Sequence, residues 1–330
     1  VVKKNIVSKI TYQPSSASII EHQIEALSES QKDAIEDFLE MDFSAINDTL
    51  SKKESAEALE TAYELQQFRT IDEKLPREIS APASFALLQQ RGQMEIQTQQ
   101  RLPAAPAVRD DQGHDTLRFG LFGGRIDNDR YIAFEWRPAY HDLDDPLPGY
   151  RRGAHLQFFK TELRWYTDNN ELQLEQFKFV EIISFTPRTR FFRPWSWQAG
   201  FGARRSRVRQ GQRPLTPYIN GFFGSTVFAG PTLLSAALTA NAEPSAHLPS
   251  GGTAEAGLGL FLNYQSETIR LSAKAEQRAD FLGENESRRM AEAKLSYSVL
   301  ANHAIHLRVQ VLDTIHGHTE DISIGWYGYF

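Results

Sequence analysis

The residues of this chain best suited to chemistry lie in one stretch, "YHDLDDPLPGY", at residues 140–150. A histidine followed by three aspartates can bind a cation or hold a basic partner, because imidazole and carboxylate groups serve both purposes. The same composition also builds a structured turn, since aspartates accept bonds from backbone amides while proline and glycine fix the dihedral angles. A turn is the simpler interpretation. The functional prediction is a binding or docking site formed by His141, Asp142, Asp144, Asp145, Gly149 and Tyr150.

Composition limits the other chemistry available to the 330 residues. The chain has no cysteine, which excludes a disulfide, a thiolate zinc site and a cysteine nucleophile within it. We predict no catalytic residue, no resident metal and no cofactor in this chain. The net charge of −6 argues against a nucleic-acid partner. No apolar run approaches the roughly 18–20 residues of a membrane helix.

The spacing of apolar residues along the chain changes near residue 112. Before it, apolar residues recur at helical spacing, and Ser28 with Gln31 offers a capping box. We predict a small helical region and linker over residues 1–112. Two proline-rich joints interrupt it, at residues 75–85 and 101–113, and the second is the expected linker. The apolar helix positions are Ile20, Ile24, Leu27, Ile35, Phe38, Leu39, Ala58, Leu59, Ala62, Leu65 and Phe68.

After residue 112 the apolar period becomes two, which is typical of strands with one apolar face. Residues 269–276, for example, alternate apolar side chains with Arg270, Ser272, Lys274 and Glu276. We count about twelve such segments: 115–124, 129–138, 153–166, 170–185, 192–204, 214–224, 228–240, 254–264, 267–278, 287–300, 303–312 and 319–330.

A soluble sandwich would also alternate, but three features favour a barrel that crosses a membrane. The segment count is even, and many segments exceed the ~9–11 residues that a tilted membrane strand needs. Long and short connections alternate along the chain, as in barrels with long external loops. Aromatic residues also lie near the segment ends, as in interfacial girdles: Tyr131, Trp136, Tyr140, Trp165, Tyr166, Trp195, Trp197, Tyr218, Tyr264 and Trp326. The predicted fold is therefore membrane all-β: a roughly twelve-stranded antiparallel transmembrane β-barrel at residues 113–330, preceded by a small α-helical region.

The predicted lumen carries charges of both signs. Mixed signs in a narrow lumen pair with each other more often than they line a conducting path, so an anchor is favoured and a small porin-like channel is the alternative. The residues assigned to the lumen are Arg118, Glu135, Arg137, Glu162, Arg164, Arg270, Lys274, Glu276, Glu292, Lys294 and Arg308.

The last residues, "SIGWYGYF", resemble the C-terminal signal that outer-membrane barrels present to their insertion machinery. Ser323, Gly325 and Phe330 match the polar, glycine and terminal aromatic positions of that signal. Gly328 departs from it, because the signal prefers an apolar side chain there. A soluble edge strand that ends in phenylalanine is the alternative.

A second resemblance covers most of the chain. The stretch "RPAYHDLDD" with "GY" at residues 137–150, together with "FFRPWSW" and "LLQQRGQM", resembles the C-terminal portion of a Gram-negative family of unknown function. Its upstream domain resembles a papain-like lipoprotein acyltransferase that uses a cysteine and a histidine. The resemblance implies that the barrel and helical region serve an enzyme domain located before Val1. Nothing in this chain matches the catalytic motif of that domain.

The resulting expectation is a barrel that anchors and positions a periplasmic helical or enzymatic region for lipoprotein or envelope processing. It would lie in the outer membrane with residues 1–112 in the periplasm. Its partners would be outer-membrane lipid, the insertion machinery and an upstream or separate periplasmic domain. The absence of a starting methionine and of a signal peptide leads us to expect a longer protein. A barrel-borne lipase, similar to the outer-membrane phospholipase, is a second alternative; His155 and Ser196 are present, but without its motif.

Overall fold

The computed structural model describes residues 11–46, 48–99, 101–109, 112–206, 213–246, 251–282, 287–314 and 317–330. The chain divides into two compact units, Val1–Ala107 and Val108–Phe330. The first unit contains the described helices, and the second contains the described strands.

The helical unit has two amino-terminal capping boxes. Ser28 caps α2 together with Gln31, as predicted, and Ser51 caps α3 together with Glu54. Each pair satisfies two backbone donors that a helix start leaves free. Among the described residues, no helix combines the length and the apolar character needed to cross a bilayer. The helices are α1 Ser16–Glu25, α2 Glu29–Leu39, α3 Lys52–Asp72 and α4 Arg77–Gly92.

The fourth helix corrects one prediction. Residues 75–85 were expected to form a proline-rich joint, but most of them lie in α4, with Pro82 inside the helix. Proline removes one helical hydrogen bond. Ser80, Ala83 and Leu87 nevertheless share a buried face, and α4 packs against α3. Burial of this face outweighs the local cost of the proline.

The described residues of the barrel unit form twelve long strands and one strand of three residues, β3. The long strands contain 9 to 15 residues, enough to cross a bilayer at a tilt. The strands are β1 Arg118–Ile126, β2 Asp129–Arg137, β3 Ala139–His141, β4 Ala154–Tyr166, β5 Glu171–Ser184, β6 Ser196–Arg205, β7 Leu215–Ala229, β8 Thr232–Pro244, β9 Gly252–Gln265, β10 Ile269–Asp280, β11 Ser287–Leu300, β12 His303–Thr314 and β13 Gly317–Tyr329.

The sheet closes on itself. Consecutive long strands pair antiparallel, and β1 also pairs with β13 from Arg118↔Tyr329 to Ile126↔Asp321. β2 pairs with β4, and the short β3 continues along β4 where β2 ends. A closed barrel leaves no unpaired edge. The prediction of a twelve-stranded antiparallel barrel preceded by helices is confirmed.

The two faces of the wall differ in chemistry. Apolar side chains such as Val309 and Leu238 point outward and are exposed, whereas the predicted lumen charges point inward, where Arg118 and Glu162 are buried and Lys274 is partly buried. An apolar exterior around a polar interior is the inverse of a soluble fold.

Three tyrosines predicted for the outer girdles lie inside the barrel. Tyr131, Tyr166 and Tyr218 are each less than 5% exposed. Their strand register places them on the polar face, where the Tyr131 hydroxyl donates to Asp321 and the Tyr166 hydroxyl donates to Glu175. The alternation of inward and outward positions along each strand therefore predicts the location of these tyrosines better than their nearness to a strand end does.

The tryptophans are distributed unevenly between the two ends of the barrel. Trp136, Trp195, Trp197 and Trp326 are exposed on the outside near the end where β1 begins and β13 ends. Trp165 lies at the opposite end. Amphipathic rings concentrate at membrane interfaces, so the first end carries the stronger interfacial anchor.

Candidate functional site

The segment that was predicted to form a site folds inward and enters the lumen of the barrel. Residues 142–150, which we call the plug, connect β3 to β4, and residues 142–146 are all buried. Leu143 packs in an apolar cluster with Phe185, Phe222 and Phe261 on other parts of the barrel. The plug therefore reaches across the lumen rather than forming an open turn.

Asp145 is the most heavily bonded residue of the plug. Its carboxylate accepts from Arg118 at 2.6 Å, from Arg137 and from the Tyr329 hydroxyl at 3.0 Å. The backbone N–H of Asp142 donates to the same carboxylate at 2.7 Å. All of these groups are buried, and a buried carboxylate is stable only with such a complete set of partners.

The other two aspartates fix the plug to further strands. Asp142 lies 3.2 Å from the His155 ring on β4. Asp144 accepts from the Ser272 hydroxyl on β10 at 2.8 Å and lies 3.5 Å from the Lys294 ammonium on β11. The carboxylates predicted to hold a basic partner thus find basic partners on the barrel wall.

The backbone of the plug is held as well. The Gln265 amide donates to the Leu143 carbonyl at 2.9 Å, and the Arg270 guanidinium donates to the Asp144 carbonyl at 3.2 Å. These bonds replace the water that loop carbonyls normally bind, which is why the segment is stable inside the lumen.

The protonation states of two groups at this end follow from their surroundings. Burial alone would raise the pKa of the Asp145 carboxyl, but the guanidinium groups of Arg137 and Arg118 hold that pKa well below its ordinary value. Burial lowers the pKa of the His114 ring, which the nearby Asp145 only partly opposes. Asp145 is therefore a carboxylate and His114 a neutral imidazole at neutral pH.

The remaining predicted residues attach the plug to residues 113–117, the lead segment that runs into β1. The His141 ring stacks on Tyr150 with centroids 4.1 Å apart, and the Tyr150 hydroxyl donates to the His114 carbonyl at 3.1 Å. Gly149 has φ +83°, and a Cβ there would come within 2.7 Å of the Gly113 Cα. Glycine is needed at this position for both its dihedral angle and its close approach.

Beyond the plug, the lumen contains paired charges around a cavity of about 250 Å³. Arg164 bonds Glu162 and Asp321 at 2.8 Å each, and Arg308 lies 3.3 Å from Glu162. Lys160 bonds Glu135 at 2.7 Å. Most of the charges predicted for the lumen thus belong to ion pairs, several of which join different strands.

His155 and Ser196, the two residues considered for a barrel-borne lipase, lie inside the barrel. His155 contacts Asp142 and Glu181. Ser196 is buried and shares a 2.6 Å hydrogen bond with Thr226. Neither side chain faces the outer wall, where the phospholipase reaction would take place.

The residues of the predicted insertion signal occupy both faces of β13. Ser323 is buried on the lumen side, and Phe330 is 59% exposed on the outside. At Gly325 a Cβ would come within 2.3 Å of the Leu121 carbonyl oxygen on β1. The Phe330 and Leu117 backbones exchange two hydrogen bonds, at 2.8 and 3.3 Å. Recognition by the insertion machinery stays a prediction.

Sequence reasoning did not find His114, Gln265, Ser272 or Tyr329 as partners of the plug. Each lies at least 36 residues away from the plug residue that it bonds. Polar residues on the lumen face also recur throughout the strands, so spacing gave no signal for these four.

The fold and the lumen define the class as a transmembrane β-barrel whose lumen is occupied by its own plug. The profile of the family described as "Domain of unknown function (DUF7840)" matches residues 107–329. The chain therefore belongs to that family. A second profile, "Domain of unknown function (DUF7842)", matches residues 10–103. Among curated proteins, none matches this chain in sequence.

Several solved structures are similar to the barrel at low identity. The NanC porin is 10% identical, with a TM-score of 0.39, and the match covers 64% of this chain and 100% of that one. Outer membrane phospholipase A from Escherichia coli is 10% identical, with a TM-score of 0.36, covering 66% and 97%. OmpT, an outer membrane protein of Vibrio cholerae, is 10% identical, with a TM-score of 0.31, covering 65% and 96%.

Proposed function

We propose that the barrel is a non-conducting outer-membrane anchor that positions a periplasmic helical or enzymatic region. One observation carries this proposal: the lumen is crossed by the plug, whose three aspartates bind Arg118, Arg137, His155, Ser272 and Lys294. A transport pore needs a continuous polar path, whereas an anchor needs only an apolar exterior and a stable interior.

We infer the orientation from the two chain ends of the barrel. The lead segment and the end of β13 lie at the same end, which is also the end that the plug occupies. In outer-membrane barrels short turns lie on the periplasmic side. Between β6 and β12 the connections at this end, 230–231, 266–268 and 301–302, have two or three residues, whereas 206–214, 245–251 and 281–286 at the opposite end have six to nine. The two-residue connection 127–128 also lies at the opposite end. We therefore place the plug end, and the linker to the helical unit, in the periplasm.

The activity that the anchor serves is inferred from the family resemblance alone. An upstream acyltransferase-like or hydrolase domain would process lipoproteins or other envelope components near the inner leaflet of the outer membrane. This chain would hold the enzyme domain at the membrane and would not catalyse the reaction itself. A small channel is the alternative, and single-channel conductance of the full chain distinguishes the two.

A cleavable linker tests the anchor. A protease site inserted between residues 107 and 108 separates the two compact units. After cleavage in opened cells, we expect the helical fragment in the supernatant and the barrel fragment in the membrane pellet. External protease should leave the site uncut in intact cells.

Two results would contradict the anchor. Sedimentation of the cleaved helical fragment with membranes at both low and high salt would mean that it binds them without the barrel. Cleavage in intact cells would place the linker on the cell surface.

A further inference from the structure

Three ligand-type atoms meet where the lead segment contacts the plug. His114 Nε2 lies 3.0 Å from His141 Nδ1 and 3.8 Å from Asp145 Oδ2, and His141 Nδ1 lies 3.9 Å from that oxygen. All three residues are buried. A point equidistant from the three atoms is roughly 2.1 Å from each, which is the bond length of zinc to imidazole nitrogen and carboxylate oxygen.

We propose that His114, His141 and Asp145 bind a transition-metal ion of the Zn²⁺ class that joins the lead segment to the plug. The His114 Nδ1 lies 2.7 Å from the Asp115 carbonyl. A proton on Nδ1 is donated to that carbonyl, which leaves the Nε2 lone pair directed at the site. Metal-binding histidines are oriented by this kind of outer hydrogen bond.

The aromatic neighbours hold both imidazoles in place. Tyr150 stacks on His141 at 4.1 Å and on His114 at 4.6 Å, and Tyr329 packs against His114 at 4.8 Å. Packing of this kind fixes the ring orientation before an ion arrives, which reduces the entropy lost on binding.

The bonds that Asp145 already makes determine which metals fit. Arg137 and the Asp142 N–H donate to the same oxygen that faces the histidines. The ion must share this carboxylate with a guanidinium, so most of its binding energy comes from the two imidazoles. Imidazole suits Zn²⁺, Ni²⁺ and Cu²⁺, whereas Mg²⁺ and Ca²⁺ prefer several oxygen ligands.

Metal content and affinity test the proposal on the full chain without a polyhistidine tag. The chain is purified in detergent, stripped with a chelator and titrated with Zn²⁺, and bound metal is counted by mass spectrometry. We compare His114→Gln and His141→Gln with the control His318→Gln, which changes an exposed histidine between Asp313 and Glu320. We expect one tightly bound zinc per native or control chain and about tenfold weaker binding, or more, in the two site variants.

Each outcome either supports or overturns the proposed metal site. Heat modifiability on gels confirms that each variant is folded. Equal zinc binding by native protein and folded site variants overturns the proposal, as does loss of the ion in the control variant alone. If the site variants fail to fold, Co²⁺ titration of the native chain tests the metal site instead. Visible absorption bands of a low-coordinate cobalt site support the proposal, and their absence overturns it.

Discussion

At the scale of single residues, Asp145 joins the plug to three strands of the barrel wall. It is the shared acceptor of Arg118, Arg137 and Tyr329, which belong to the first, second and last strands of the barrel. A buried ion pair gains little over an apolar replacement, but removal of one partner leaves buried charge uncompensated. The main role of the carboxylate is therefore to compensate the charges of the two buried arginines. Its net attraction to them adds little.

Asp145→Asn tests this view. The variant leaves Arg118 and Arg137 buried with less counter-charge, so we expect it to lower the free energy of unfolding by about 3–5 kcal/mol. Urea unfolding of the full chain in lipid vesicles measures the change. The control is Asp168→Asn, which removes an exposed pair with Arg130 and should have little or no effect. Equal losses in the two variants would contradict the role given to Asp145.

At the scale of elements, the alternation along each strand determines which substitutions the wall tolerates. Val309 and Gln310 are neighbours on β12; Val309 is exposed on the outside, and Gln310 lines the lumen cavity. A charge on the outside meets hydrocarbon, whereas a charge in the lumen meets polar groups such as Asp321.

Val309→Arg and Gln310→Arg form a matched pair that tests the two faces. We expect Val309→Arg to cost roughly 2–4 kcal/mol if it lies near the bilayer midplane, and Gln310→Arg to cost much less. Unfolding in vesicles measures both. A larger loss for the Gln310 variant would mean that the lipid and lumen faces are reversed.

The strands were predictable from sequence because their signal is local. Each of the twelve long strands contains most of one predicted segment, although segment 228–240 also includes the last two residues of β7, and the capping box at Ser28 is present. The path of the plug was not predictable, because it depends on bonds such as Asp144 to Ser272, which are 128 residues apart. The same holds for α4, where packing against α3 overrides Pro82, and for Tyr131, whose place inside the lumen follows from strand register.

At the scale of the whole molecule, the two compact units are expected to behave as separate cooperative units. The helical unit has its own core, in which Ile35, Phe38 and Leu59 are fully buried. The barrel is stabilised instead by closure of its sheet, while ion pairs such as that of Arg164 with Asp321 compensate the charges buried in its lumen.

Phe38→Ala in the full chain tests this independence. Loss of a fully buried aromatic should destabilise the helical unit by about 3–5 kcal/mol. Limited proteolysis should then degrade the helices at a lower temperature, while the heat-modifiable band of the barrel stays unchanged. A parallel loss of barrel folding would show that the two units fold together.

Single-channel conductance of the full chain in a planar bilayer distinguishes an anchor from a pore. We expect no stable open channel from the native chain, because the plug crosses the lumen. A variant in which residues 142–148 are replaced by a short glycine-serine linker should form stable channels once it has folded. Steady conductance from the native chain, equal to that of the plug variant, would contradict the account and identify the barrel as a pore.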